Sequence, residues 1–221
     1  MNGGPMPTPF RLPKFYPILD TDVLAGCGCS VPMAAEALIE AGARILQYRH
    51  KQDWTQAHFD EAKRLAARCD EAGVLFVLND RADFARLLKS ALHVGQDDLS
   101  PAAARRLISD EVMGFSTHNG DQLARGNEEG VEYLSIGPVF PTGSKRKPDP
   151  VLGLERLQEL RAVTEKPLAA IGGITLENAP QVLAAKADSV AVISGIVPRT
   201  CNRKAWKSHA EEWLRVCLQS G

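Results

Sequence analysis

The chain has no long hydrophobic run and no excess of one charge. No window of its 221 residues approaches the roughly 18 to 20 consecutive apolar residues that a membrane-spanning helix requires. Lys and Arg number 26 and Asp and Glu number 27, which gives a formal net charge of -1. That balance excludes the global positive field of a nonspecific nucleic-acid binder. We therefore predict a protein that binds neither membranes nor nucleic acids, in which any anion site is local.

Cysteines are few, and their pattern fits neither a disulfide framework nor a zinc site. Their number is odd in a chain large enough to fold without disulfides: Cys27, Cys29, Cys69, Cys201 and Cys217. The C-G-C sequence at 27–29 is followed by no second Cys/His pair at zinc-ligand spacing, so we interpret it as a loop with two small residues. This usage predicts a cytoplasmic protein without structural disulfides.

The composition predicts one globular domain after a short leader. Apolar residues make up 44% and charged residues 24% of the chain, values typical of soluble globular proteins. Residues 1–14, MNGGPMPTPFRLPK, are rich in Pro and Gly and lack the apolar stretch of a secretory signal. We interpret them as a flexible leader and predict a single catalytic domain over 15–221. Its size is compatible with a homo-oligomer, but the sequence reveals no interface.

Short apolar runs alternate with amphipathic segments along the whole chain, as in buried parallel strands joined by helices. The predicted strands are 15–20, 44–48, 74–78, 91–94, 112–115, 133–136, 168–171 and 190–193. The predicted helices are 31–41, 55–72, 82–89, 101–108, 121–129, 154–164, 176–185 and 204–218. This alternation, with no break in composition, predicts a single (β/α)8 TIM barrel rather than an open doubly wound sheet.

Polar residues follow the second, third and fourth predicted strands, where barrel enzymes build their sites. Alternation along an extended segment points Gln47, Arg49 and Lys51 the same way. Asp80 and Asp98 follow the next two strands, and two carboxylates with phosphate oxygens suit Mg2+. Taken singly, each Asp fits helix capping at least as well.

The later loops suit phosphate binding. Ser116 and His118 follow strand five, and the loop after strand six contains Thr142, Ser144 and Lys145, although a plain basic loop explains it equally well. The loops after strands seven and eight contain Gly172-Gly173 and Ser194-Gly195, at the place where barrels often bind phosphate through backbone amides. We give His118 only a supporting role, because a single histidine in a loop more often makes a structural hydrogen bond. Trp206 and Trp213 are predicted to pack against the barrel.

Seven motifs, in this order, resemble the thiamine phosphate synthase family. They are QYRHK, ND, GQDD, STH, GPVFPTGSK, IGGI and ISGI, and they extend from Gln47 to Ile196. The resemblance implies a Mg2+-dependent transferase that joins hydroxymethylpyrimidine diphosphate to thiazole phosphate, giving thiamine phosphate and diphosphate. It also implies a dissociative, pyrimidine-cation-like step that needs no protein nucleophile.

The resemblance also implies a role for each matching residue. The diphosphate would be held by Arg49, Lys51, Asn79 and Lys145, and Mg2+ by Asp80 and Asp98. Gln47 and Ser116 would lie beside the pyrimidine. Ser116 and the four diphosphate ligands are the predicted catalytic residues. The thiazole phosphate would be lined by Thr142, Ser144, Gly173, Ile193 and Ser194. The chain departs from the family in Ser144, often Thr, in Lys89-Ser90-Ala91, often Ala-Asp-Gly, and in the less familiar RKPDP at 146–150.

Two alternatives remain open from the sequence. The first is a barrel similar to thiazole tautomerase, a sister group that does no coupling and typically lacks the carboxylate of the G-Q-x-D motif. Here both Gln96 and Asp98 of that motif are present. The second is a non-catalytic barrel that binds phosphorylated ligands without turnover. The complete set of acids and bases favours coupling.

Overall fold

A computed structural model describes residues 10–143 and 149–220. The strands are β1 (Phe15–Asp20), β2 (Ile45–Arg49), β3 (Leu75–Asn79), β4 (Ala91–Val94), β5 (Met113–Thr117), β6 (Tyr133–Ile136), β7 (Leu168–Ile171) and β8 (Ser189–Val192). The helices are α1 (Thr21–Gly26), α2 (Val31–Ala41), α3 (Gln56–Glu71), α4 (Ala82–Leu88), α5 (Pro101–Arg105), α6 (Gly120–Glu128), α7 (Gly153–Arg161), α8 (Ala179–Ala184) and α9 (Arg203–Gln219). A short 3-10 helix covers Ser194–Ile196.

The strands form a closed parallel barrel in chain order, which confirms the predicted (β/α)8 architecture. The barrel closes where Tyr16 of β1 pairs with Ala191 of β8. Because every strand runs the same way, the carboxyl ends of all eight strands lie at one mouth. The loops that the sequence singled out therefore surround one opening.

Four helices differ from the prediction by more than one residue. Helices α5 and α7 end three residues earlier than predicted, at Arg105 and Arg161. The predicted helices do not include α1, which forms because the Asp20 side chain caps it by accepting a hydrogen bond from the Val23 amide at 3.0 Å. The predicted helix at 176–185 begins only at Ala179, because Asn178 first closes a turn by accepting from the Thr175 amide at 2.8 Å. In contrast, the predicted start of α5 at Pro101 is confirmed, and Ser100 is its N-cap.

Side chains pack in two layers. One cluster fills the barrel interior and includes Tyr16, Ile18, Ile45 and Tyr133. The larger cluster lies between the barrel and its helices. As predicted, Trp206 and Trp213 of α9 are fully buried in it. Trp213 stacks on Phe15 at 5.5 Å between ring centroids and donates to the Gly195 carbonyl, so α9 supports the loop after β8.

The prediction that the chain has no disulfide is wrong. Cys29, just before α2, is bonded to Cys201, just before α9, with 5.4 Å between their Cα atoms. No local pattern indicates this pair, because its members are 172 residues apart and an odd cysteine count does not reveal which thiols meet. Cys27 is exposed and unbonded, whereas Cys69 and Cys217 are buried free thiols.

The start of the described chain contacts the barrel. Leu12 is buried in the interior cluster, and the Phe10 ring lies 6.0 Å from that of Tyr133. Residues 1–9 of the predicted leader lie outside the described residues, so the domain boundary stays a prediction. Within 10–143 and 149–220, no helix combines the length and apolar composition needed to cross a bilayer.

Candidate active site

A pocket opens at the mouth of the barrel and is lined by residues from most of the predicted motifs. Those of the predicted site that line it are Gln47, Arg49, Lys51, Asn79, Asp80, Ser116, Thr142, Gly173, Ile193 and Ser194. Ser144 and Lys145 lie outside the described residues. Asp98 does not line the pocket but lies beside it, 4.0 Å from Lys51 Nζ. We call the β2–β4 side, with Arg49, Lys51, Asn79, Asp80 and the adjacent Asp98, the charged end. We call the side formed by the loops after β6, β7 and β8 the glycine end.

Asp80 and Asp98 come together at the charged end. Lys51 Nζ lies 2.5 Å from Asp80 Oδ2 and 4.0 Å from Asp98 Oδ1. Burial and a hydrogen bond to Asp98 raise the pKa of Asp80 to about 6, against the opposing effect of Lys51. Burial also acts to raise the pKa of Asp98, but hydrogen bonds from Asp80 and the Gly95 amide lower it overall. The two carboxylates thus lie close enough for each to shift the pKa of the other.

Helix capping does not explain these two aspartates. Arg81 occupies the N-cap of α4 and makes no side-chain cap bond, while Ser100 caps α5. Asp80 adopts a left-handed backbone, with φ at 65°, which is uncommon for a residue other than glycine and is often found at functional sites. Asp98 instead accepts from the Gly95 amide at 2.7 Å, within its own loop.

Arg49 and Asn79 complete the charged end. The Arg49 guanidinium is ion-paired with Asp20, which is 5% exposed and also caps α1. This second contact fixes the carboxylate that orients Arg49. Asn79 is buried, and its Nδ2 has no hydrogen-bond partner among the described residues. An unsatisfied buried donor facing a pocket suits a ligand oxygen.

Gln47 and Ser116 lie deeper in the same pocket. Gln47 is 2% exposed and donates from Nε2 to the Tyr16 hydroxyl at 2.7 Å. Ser116 Oγ lies 2.8 Å from His93 Nε2, and its carbonyl accepts from Gln96 at 2.6 Å. Hydrogen bonds to neighbouring residues therefore hold both polar side chains in place.

At the glycine end, neighbouring backbones lie in contact. A Cβ on Gly137 would lie 2.2 Å from the Ile171 carbonyl oxygen, and one on Gly173 would lie 2.5 Å from that of Pro141. Gly172 and Gly173 also have φ of +100° and +65°, which glycine adopts without strain. The peptide bond from Gly137 to Pro138 is cis. His118 lies beside this loop, with Nδ1 at 2.7 Å from the Gly137 carbonyl and 3.6 Å from Asp149.

Comparison with known proteins places this pocket in a family. The family model described as thiamine monophosphate synthase matches residues 15–196. The chain belongs to this family. It is an enzyme of the transferase class.

Individual relatives agree with the thiamine monophosphate synthase family. A thiamine-phosphate synthase of Koribacter versatilis is 44% identical over 196 residues, covering 87% of this chain and 92% of the relative. One from Clostridium perfringens is 40% identical over 183 residues, covering 82% and 86%. A solved thiamine phosphate pyrophosphorylase from Pyrococcus furiosus has a TM-score of 0.80 at 29% identity, covering 94% and 96%. The similarity extends over nearly the whole chain.

The motif comparison missed three residues of the pocket region. Asp20 ends β1 and gives no sign of its contact with Arg49, which is 29 residues away. His93 has an apolar residue on either side in β4 and lies outside the seven motifs. Asp149 lines the pocket from the RKPDP segment that departs from the family. A polar residue inside an apolar strand was the one available signal, and it pointed to His93.

Proposed function

We propose that this transferase joins hydroxymethylpyrimidine diphosphate to thiazole phosphate, releasing thiamine phosphate and diphosphate. The observation that carries the proposal is the convergence of Lys51, Asp80 and Asp98 within 4.0 Å at the charged end. Such a cluster suits a metal-bound diphosphate. The glycine end includes the loops after β7 and β8, which often bind phosphate in barrels. It therefore suits the second phosphorylated substrate.

The residues of the charged end fit Mg2+. Asp80 and Asp98 are carboxylates that both lie within 4.0 Å of Lys51 Nζ, and a hard divalent cation prefers one or two such ligands with phosphate oxygens. We infer that these two side chains would hold the ion. Bound there, Mg2+ would neutralise charge on the departing diphosphate.

The chain's own groups would act by position and charge. Arg49, Lys51 and the Asn79 amide would bind diphosphate oxygens, while Asp20 keeps Arg49 in place. The C–O bond of the pyrimidine methylene breaks with its electrons going to diphosphate. The thiazole nitrogen then supplies its lone pair to form the new C–N bond. Such a dissociative step needs preorganised charge and exclusion of water rather than a protein nucleophile.

The remaining assignments follow the two ends of the pocket. Gln47 and Ser116 would contact the pyrimidine ring from below. The thiazole phosphate would lie against Thr142, Gly173, Ile193 and Ser194, with Ser144 completing that site and Lys145 joining the diphosphate ligands.

The direct test supplies purified protein with both phosphorylated precursors and Mg2+. We expect thiamine phosphate and diphosphate in equal amounts, and no thiamine phosphate when the thiazole phosphate is omitted. Isomerisation of a thiazole phosphate without coupling would instead support the tautomerase alternative. Binding of both precursors without any reaction would support the non-catalytic alternative.

A further inference from the structure

Beneath the pocket, a chain of hydrogen bonds joins Gln47 to Ser116 through three buried side chains. Gln47 Nε2 donates to Tyr16 at 2.7 Å, and the Tyr16 and Tyr133 hydroxyls are 2.8 Å apart. The Tyr133 hydroxyl lies 3.0 Å from His93 Nδ1, and His93 Nε2 lies 2.8 Å from Ser116 Oγ. We call these five residues the relay.

The absence of a side chain at Gly114 leaves the space through which two residues of the relay meet. Tyr133 on β6 reaches His93 on β4 by crossing β5, where Gly114 is the intervening residue paired with both. A Cβ on Gly114 would lie 2.1 Å from the Tyr133 ring and 2.5 Å from His93 Nδ1. Any side chain at this position would occupy the space that the contact needs.

The relay has two arrangements in which every hydroxyl and ring nitrogen along it is satisfied. In the first, Gln47 donates to Tyr16, Tyr16 to Tyr133, Tyr133 to His93 Nδ1, and His93 Nε2–H to Ser116. In the second, all directions are reversed. A mixture either leaves a buried hydroxyl proton without an acceptor or turns two hydroxyl oxygens toward each other with no proton between them, and both are costly. The orientation at Gln47 is therefore tied to that at Ser116.

A neutral His93 is required in both arrangements, because a protonated ring donates from both nitrogens. Burial lowers the pKa of His93 to about 4, so the ring is neutral near pH 7. The amide orientation of Gln47, with Nε2 toward Tyr16, selects the first arrangement. Gln47 Oε1, which has no hydrogen bond within the described residues, then serves as an acceptor. Ser135 Oγ lies 3.2 Å from Ser116 Oγ, and when Ser135 donates to Ser116, the Ser116 hydroxyl proton is available to donate to a ligand.

Building on the proposed function, we propose that His93 is a positioning residue that, through Tyr133 and Tyr16, fixes which polar atoms Gln47 and Ser116 present to the pyrimidine. The pocket floor then offers one acceptor and one donor. An aminopyrimidine edge, with an amino donor beside a ring-nitrogen acceptor, matches this pair. A ring of the same shape with an oxo group and a ring N–H presents the opposite pattern. The relay thereby selects aminopyrimidines over their oxo counterparts.

The tautomer of His93 tests the relay without any substrate. We expect nitrogen-15 NMR of the ring at pH 7, assigned by its loss in His93→Gln, to show a neutral imidazole protonated at Nε2. Protonation at Nδ1 instead would overturn the relay whatever the enzyme's activity. This measurement therefore stands even if the proposed coupling reaction fails.

Kinetics of Tyr133→Phe test the link to substrate. We expect kcat/KM for the aminopyrimidine diphosphate to fall about tenfold, the order that one net hydrogen bond supplies. Discrimination against the oxo analogue should shrink by a similar factor, while KM for the thiazole phosphate stays unchanged. Unaltered discrimination in Tyr133→Phe would overturn the positioning role.

Two further variants separate this role from plain stability. Tyr48→Phe removes another buried hydroxyl, bonded to Glu61 at 3.0 Å and outside the relay, so its discrimination should equal that of the wild type. Gly114→Ala keeps every polar atom of the relay but fills the space through which Tyr133 and His93 meet, and it should reproduce the Tyr133→Phe pattern. If Tyr48→Phe loses discrimination as much as Tyr133→Phe, the effect belongs to buried tyrosines in general and the proposal fails.

Discussion

The two ends of the pocket are constructed differently. The charged end consists of side chains that hold one another in place, as Asp20 holds Arg49 and Lys51 holds Asp80. The glycine end consists of backbone brought into contact because Gly137 and Gly173 have no side chain. The charged end should therefore lose activity when a side-chain group is removed, whereas the glycine end should lose substrate binding when a side chain is added.

The largest effect should come from removing one carboxylate of the charged end. Asp98→Ala should lower kcat by about a hundredfold or more, because a preorganised charged group is lost from the reacting centre. Steady-state assays at saturating Mg2+ measure this. The neighbouring, exposed Asp97→Ala should stay near wild type, and an equal loss in both variants would show that the defect is not specific to the charged end.

Adding one methyl group should disable the glycine end. Gly173→Ala would place Cβ 2.5 Å from the Pro141 oxygen, so the two loops would have to move apart. This movement should raise KM for the thiazole phosphate by about tenfold. KM for the pyrimidine diphosphate should change little.

Gly73→Ala provides the matched control for that variant. Gly73 has φ of +66°, nearly that of Gly173, but no atom lies within 4 Å of its added Cβ. It should lose thermal stability through backbone strain while keeping both KM values. If Gly173→Ala changes stability alone, as Gly73→Ala is expected to, close approach at the glycine end has no part in binding.

Removing the ion-pair partner of Arg49 should have a smaller effect. Asp20→Asn removes the charge that orients Arg49, so KM for the pyrimidine diphosphate should rise about threefold to tenfold, as expected for one weakened hydrogen bond. Asp22→Asn changes an exposed acid in α1, the helix that Asp20 caps, and should have no effect. Equal KM values for Asp20→Asn and the wild type would contradict the orienting role.

The smallest effect concerns the protonation of Asp80 at the charged end and its contribution to stability. Asp80 has a pKa raised to about 6 from 3.8, so between these values the folded state binds more protons than the unfolded state. The free energy of unfolding should therefore fall as pH rises through this window, by on the order of 1 to 2 kcal/mol. Urea unfolding of metal-free protein measures this, and Asp80→Asn should flatten the slope. A slope identical to that of the wild type would show that Asp80 is not perturbed.

Much of the fold follows from the sequence, since each strand is a short apolar run that the periodicity locates within two residues. The meeting of Asp80 and Asp98 also follows, because both come directly after neighbouring parallel strands whose ends share one mouth. Local pattern and topology together determine these features.

Other features depend on contacts that no local pattern encodes. The path of Tyr133 across Gly114 to His93 requires the stagger of three strands, and the Cys29–Cys201 bond requires the packing of α2 on α9. Helix α1 is six residues long, too short for a periodic signal. These features arise from tertiary geometry rather than from propensity.

The most direct test of the account is a crystal structure of the protein grown with Mn2+, as a substitute for Mg2+, and diphosphate. We predict an anomalous peak bonded to carboxylate oxygens of both Asp80 and Asp98, with the diphosphate contacting that ion, Arg49 and Lys51. An ion bound elsewhere, or a diphosphate located only at the glycine end, would contradict the assignment of the charged end.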